Sequence, residues 1–201
     1  MFTHRWLEVT ARANVLGLLF LVMMVVLIAA CSSDKEPALA TQPQSSVTIA
    51  VTSPAFTEGS PIPVEYTCQG EDISPVLNWA NVPDDTKSMA LIMDDPDAPG
   101  RTFVHWVLYN IPATANGLSR AFTRETAQSM GAAEGRSGFG RSGYGGPCPP
   151  LGNPHRYFFK IYALDTTIGL EEGATKTQLL EAMQGKIIAQ GELVGTYSRS
   201  R

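Results

Sequence analysis

Met89-Ala90-Leu91-Ile92-Met93-Asp94-Asp95-Pro96-Asp97-Ala98-Pro99, followed through Gly100-Arg101-Thr102 by Phe103-Val104-His105-Trp106-Val107-Leu108-Tyr109-Asn110-Ile111, decides the fold of this chain. Met89 to Met93 and Phe103 to Ile111 are dense apolar runs with β-branched and aromatic residues, as expected of central strands covered on both faces. Arg156 to Leu164 is a third run of this kind. Working outward, the alternating sets Val47, Ile49, Val51, then Ile62, Val64, Tyr66, then Leu77 and Trp79 predict short strands with one buried face each. Lys186 to Tyr197 predicts a last strand. No regular helix alternates with the strands, as a parallel βαβ fold would require. One helix is specified near the C-terminus. Thr175-Lys176-Thr177-Gln178 has the form of a capping box, Leu179, Leu180, Ala182 and Met183 supply an apolar face, and Gly185 can end it. The expected fold is all-β, an antiparallel β-sandwich with one or two short peripheral helices.

The N-terminal end obeys a different logic. Arg5 and Arg12 precede an uncharged apolar run from Val15 to Ala30, the layout of an export signal. Ile28-Ala29-Ala30-Cys31 closes it with an aliphatic residue and two small ones ahead of a thiol. This ending resembles the lipobox of bacterial lipoproteins, and the resemblance implies that residues 1–30 are a lipoprotein signal peptide with Cys31 lipidated; the alternative is a retained transmembrane anchor that ends in a cysteine. Ser32 in place of Asp favours an outer membrane where two membranes exist. Residues 31–46 are polar, with Pro37 and Pro43, and read as a flexible tether; residues 47–201 are the folded domain. The expected location is a membrane surface facing the periplasm or the cell exterior.

The formal net charge of −4 becomes more negative once Arg5, Glu8 and Arg12 are removed, and no basic stripe marks a nucleic-acid binder. Of three cysteines, Cys31 is set aside for lipid, which leaves Cys68 and Cys148. In an oxidising compartment these two either pair or stand as independent buried thiols.

Residues 128–146 hold seven glycines, with Arg136 and Arg141, and read as a long loop. This loop leads into Tyr144-Gly145-Gly146-Pro147-Cys148-Pro149-Pro150-Leu151-Gly152-Asn153-Pro154-His155-Arg156-Tyr157. Prolines that fix φ and glycines that expose amides suit a segment that holds polar groups against a ligand. By alternation His105 shares a face with Phe103, Val107 and Tyr109, and His155 shares one with Tyr157 and Phe159. Arg156 points the other way and reads as structural or surface, and Trp79 and Trp106 read as core. If Asp95, Asp97, His105, His155 and Tyr157 converge, they form a small pocket of carboxylates, imidazoles and a phenol suited to a phosphate. Taken singly, each has a plainer role. The aspartates can hydrogen-bond their own turn, His105 can be a satisfied core residue, His155 can cap a strand and Tyr157 can be ordinary packing.

Four ordered segments resolve the choice: Cys68-Gln69-Gly70-Glu71-Asp72-Ile73-Ser74-Pro75, Asp95-Pro96-Asp97-Ala98-Pro99, Val104-His105-Trp106, and Gly146-Pro147 through His155-Arg156-Tyr157. With them the chain resembles the phosphatidylethanolamine-binding protein family, in its bacterial Raf-kinase-inhibitor-like branch, over residues 47–199. The resemblance implies a β-sandwich with a small anion pocket near one end. Carried over by position, its ligand-binding residues are Asp95, Asp97, His105, Pro150, His155 and Tyr157. Phe103 stands where eukaryotic relatives often have Trp.

The resulting expectation is a non-catalytic binding protein for a small anion or a phospholipid head group, needing no cofactor. The alternatives are an inhibitor of a protease or kinase, whose partner surface one sequence does not reveal, and a metal-dependent hydrolase. No H-x-x-x-H or C-x-x-C spacing supports the hydrolase, and no Gly-x-Ser-x-Gly elbow supports a serine triad.

Overall fold

The computed structural model describes residues 48–200. The expected signal peptide, Cys31, the tether and Val47 lie outside them. Five strands, β3 (Ser88–Asp95), β4 (Phe103–Pro112), β6 (Ala133–Glu134), β7 (His155–Leu164) and β8 (Ile187–Tyr197), form a sheet of order β6-β4-β3-β7-β8. Three more, β1 (Ala50–Thr52), β2 (Leu77–Ala80) and β5 (Gly117–Leu118), form a sheet of order β1-β2-β5. Neighbouring strands in both sheets pair antiparallel.

The larger sheet is buried on both faces, which accounts for the density of the apolar runs. One face carries Met89, Leu91, Met93, Trp106, Leu108, Tyr157, Phe159 and Ile161 into a core shared with Val51, Leu77, Trp79 and Leu118 of the smaller sheet. The other presents Ala90, Ile92, Val107, Tyr109 and Leu164 to the helix α2 (Lys176–Met183), which buries Leu179, Leu180 and Met183. All eight residues of β3 are buried as a result. The capping box forms as expected. Thr175 Oγ1 accepts from the Gln178 amide at 3.3 Å, and the Thr175 amide donates to Gln178 Oε1 at 2.9 Å. Asp94, 1% exposed at its side chain, pins this helix to the sheet through Lys176 Nζ at 2.7 Å, and Lys160 Nζ adds a second ion pair at 3.3 Å.

Two expectations change. Ile62, Val64 and Tyr66 are not a strand. Pro63 precedes a 3₁₀ turn at Val64–Tyr66 that leaves Val64 exposed and buries Ile62 and Tyr66. An apolar residue at every second place fits this turn because Pro61 and Pro63 remove the donors that a ladder would use. Within 128–146, the chain is also less loop-like than its glycines suggest. The short helix α1 (Arg124–Ser129) and β6 occupy part of it, and Gly135, Gly138 and Gly145 donate to the carbonyls of Val107, Val104 and His105 along β4. Glycine is required where this run passes closest to other chain segments. A Cβ at Gly146 would overlap the Tyr66 carbonyl, and one at Gly138 would sit 2.8 Å from the Phe103 ring.

The outer edge of β8 is not left open. Ile49 and Ile62 donate to the carbonyls of Gln190 and Thr196, Gly59 donates to that of Val194, and Thr48 and Pro61 bridge to Gln190 and Thr196. Among the described residues no helix is long and apolar enough to cross a membrane.

Candidate functional site

The ends of β3, β4 and β7 meet at one edge of the sandwich, and a β-bulge there aims an imidazole. Met93 pairs with Trp106 and Asp94 with Val104, so His105 is an extra residue with no partner in β3. The bulge turns His105 to the face of Trp106 and Tyr157, away from Val107 and Tyr109, with which simple alternation had grouped it. Its ring meets Phe103 at 5.1 Å, Phe139 at 5.4 Å and Tyr157 at 5.2 Å, each edge to face.

His105 is 3% exposed and its Nδ1 donates to the Gly145 carbonyl at 2.7 Å. Burial, partly offset by that carbonyl, pulls its pKa below the usual imidazole value. His105 is thus neutral near pH 7, with the proton on Nδ1 and a lone pair on Nε2. His155, at the start of β7, donates from Nδ1 to Asp95 Oδ2 at 2.7 Å, and the carboxylate fixes the tautomer and the ring plane. The other oxygen of Asp95 accepts from the Asp97 amide at 2.8 Å and closes the Pro-Asp turn. The Asp95 turn bond and the orientation of His155 are therefore one device.

Tyr157 is fully buried, and its hydroxyl has no hydrogen-bond partner among the described residues. It lies against the Asp95 carboxylate and the Cys148 backbone without good geometry to either. Burial first, and the Asp95 charge second, hold its pKa far above that of a free phenol, so it stays a donor.

The structure thus gathers Asp95, His105, His155 and Tyr157. Asp97 is differently placed: its carboxylate takes Arg156 Nη2 at 2.7 Å and Nε at 2.9 Å, and also the Arg156 amide at 2.9 Å. This fork lowers the Asp97 pKa to about 2. Asp97 acts chiefly as a clamp between its turn and β7, and Arg156, 55% exposed at its side chain, is the structural residue expected. Pro150 is exposed, two residues past Cys148 in the loop that returns to His155. Cys68 and Cys148 are joined by a disulfide, and the Cys68 amide donates to the Pro147 carbonyl at 3.1 Å. Sequence reasoning missed Phe139, a 43% exposed ring packed 4.8 Å from Phe103 and covered by Arg141 at 5.6 Å. Its only signal is a large aromatic isolated in a glycine-rich run. Among the described residues no group of three or more His, Cys, Asp or Glu is placed to hold a metal ion.

Comparison with known proteins bears on the family and the fold. Residues 52–198 match the family model described as phosphatidylethanolamine-binding protein. A UPF0098 protein of Aquifex aeolicus is 50% identical over 151 residues, covering 74% of this chain and 88% of that protein. One from Methanothermobacter thermautotrophicus is 48% identical over 145 residues, covering 72% and 95%. The crystal structure of a putative phosphatidylethanolamine-binding protein homologue from Chlamydia trachomatis superimposes with a TM-score of 0.70 at 43% identity, over 77% of this chain and 100% of that one. E. coli YbcL, described as a new member of the mammalian family, gives 0.71 at 35% identity, over 76% and 99%. The chain belongs to the phosphatidylethanolamine-binding protein family, whose members are in general binding proteins rather than enzymes.

Proposed function

We propose that the pocket of Asp95, His105, His155 and Tyr157 binds the phosphate of a small phosphomonoester or a phospholipid head group, with Asp97 and Pro150 shaping its rim. The observation that carries this reading is the buried Tyr157 hydroxyl, a donor with no partner of its own. A buried polar group left unmatched is costly, and a ligand oxygen placed against it removes that cost. Each imidazole already spends Nδ1 on the protein, so each can offer Nε2 to a ligand. A phosphate monoanion suits such a set. Its unprotonated oxygens accept from Tyr157, and its P–OH donates to neutral His105. The aromatic edges of Phe103 and Phe139 lie beside His105 and suit the carbon chain that carries the phosphate.

The domain is displayed on a membrane by lipid on Cys31, facing the periplasm or the cell exterior. The sequence Ile28-Ala29-Ala30-Cys31 after an apolar run supports this. Labelled palmitate should enter the wild-type chain and not Cys31→Ser; label that survives the substitution ends that part of the reading.

Calorimetry with O-phosphoethanolamine tests the pocket. Saturable binding in the mM to µM range is expected, about −4 to −8 kcal/mol. His155→Ala should abolish it. Equal heats from the variant would refute the assignment.

A further inference from the structure

A second pair of buried polar groups is formed by Glu134 of β6 and Trp106 of β4, the chain neighbour of His105. Glu134 faces Leu108 across the β4–β6 ladder, and Leu108 lies in the sandwich core. Trp106 is two residues earlier on the same face of β4, so Glu134 and Trp106 are diagonal neighbours. Glu134 is 2% exposed and Trp106 fully buried. The Trp106 indole N–H lies against the Glu134 carboxyl, yet neither Glu134 Oε1 nor Trp106 Nε1 makes a hydrogen bond of good geometry among the described residues, and burial, partly offset by the indole, pushes the Glu134 pKa above the usual carboxylate value. Beside them opens a cavity of about 530 Å³, lined by Glu134, Phe122, Arg124, Arg141, Ser142 and Tyr144. Trp106 backs it, packing against Tyr144 at 5.5 Å and Phe122 at 5.9 Å.

The charges in this wall do not balance. Arg124 is paired with Glu172 at 2.7 Å. Arg141 is held by Asp72 at 3.6 Å and by the Tyr144 carbonyl at 2.9 Å. Both cations therefore have carboxylates of their own, while Glu134 takes part in no ion pair among the described residues. A carboxylate out of water needs a countercharge and donors.

We propose that this cavity is a second binding site, which takes the primary ammonium group of a small monoamine. An ammonium supplies three donors and one positive charge to Glu134. The rings of Phe122 and Tyr144 suit its alkyl part and its charge. A second ammonium in this cavity would be taken out of water with no carboxylate left to meet it, since Asp72 and Glu172 are already paired with Arg141 and Arg124, so diamines are disfavoured.

Titration of the purified chain with ethylammonium, against ethanol as the uncharged match and putrescine as the diamine, tests this through the indole N–H resonance of Trp106. That resonance is assigned by elimination with Trp6→Phe and Trp79→Phe. A saturable shift with ethylammonium, absent with ethanol and weaker with putrescine, is expected. Glu134→Gln, similar in shape but uncharged, should weaken it about tenfold or more, since hydrogen bonds to charged groups exceed neutral ones by that order. His155→Ala should leave it unchanged, which separates this site from the phosphate pocket. No saturable shift, an equal response to ethanol, or an unaltered Glu134→Gln affinity would overturn the site and leave the pair bridged by internal water. Should Glu134→Gln fail to fold, Ser142→Leu fills the cavity from a half-buried lining position, and ethylammonium affinity that survives it would be equally decisive.

Discussion

Replacing Tyr157 by Phe should move stability and ligand affinity in opposite directions. The ring is fully buried and its hydroxyl is unsatisfied, so the ligand-free protein carries a desolvation cost that Phe removes. Such a group costs about 1–3 kcal/mol. For a domain of this size, each kcal/mol corresponds to roughly 2–4 °C in Tm. Phe keeps the edge contact with His105 and fills the same space, so no cavity offsets the gain. The free variant should therefore melt several degrees higher. Affinity should respond the other way. A donor to a charged phosphate contributes about 1.5–3 kcal/mol, and its loss should weaken O-phosphoethanolamine about tenfold to a hundredfold. Thermal melts without ligand and calorimetry with it give the two signs on one preparation. A variant that melts lower and binds equally well would show that the hydroxyl is satisfied internally and has no part in binding.

Further perturbations probe the frame of the pocket. Asp97→Asn should cost about 1 kcal/mol at pH 7, because it breaks a two-pronged contact with an exposed Arg156. The Asp97 pKa is depressed to about 2, so this stabilisation is present above the unfolded carboxylate value and is lost as pH falls from about 4 through 2. Denaturation curves for wild type and variant should converge over that window, and a constant gap would contradict the clamp. Asp94→Ala should destabilise by about 1.5–3 kcal/mol, because it removes the buried carboxylate that meets both Lys176 and Lys160. A urea midpoint within error of wild type would show that α2 docks by apolar contact alone. Reduction of Cys68–Cys148, which closes a separation of 80 residues, should lower stability by about 2–5 kcal/mol, measured as the urea midpoint with and without reductant.

Where a side chain's fate depends on its own strand, the sequence was readable. The runs at Met89 and Phe103 became β3 and β4, and the capping box at Thr175 became α2, because burial on two faces and local capping leave direct marks in residue order. The convergence of Asp95, His105, His155 and Tyr157 was legible only through spacing shared with relatives, since nothing in each segment alone specifies which strand ends meet. The bulge at His105 was not legible. It is set by how β4 registers against β3, and a period of two carries no sign of an inserted residue. The segment Ile62–Tyr66 misled for a related reason: its apolar residues alternate as in a strand, but the prolines at 61 and 63 set a turn that buries Ile62 and Tyr66 and leaves Val64 exposed. Phe139 escaped because its partners, Phe103 and His105, are distant in the chain.

The way residues 48–62 cover β8 bears on how the protein avoids self-association. An eleven-residue strand at the border of a sheet is a template on which another chain can pair. Here the same molecule fills those positions with the stretch that enters the fold first, and Gly191 and Gly195 lack the side chains that would hold it off. Cutting the chain beyond Ile62 would remove β1 and the core residues Ile49, Val51, Phe56 and Ile62, and would at the same time unmask a long sticky border, so the trimmed product should polymerise as well as lose stability.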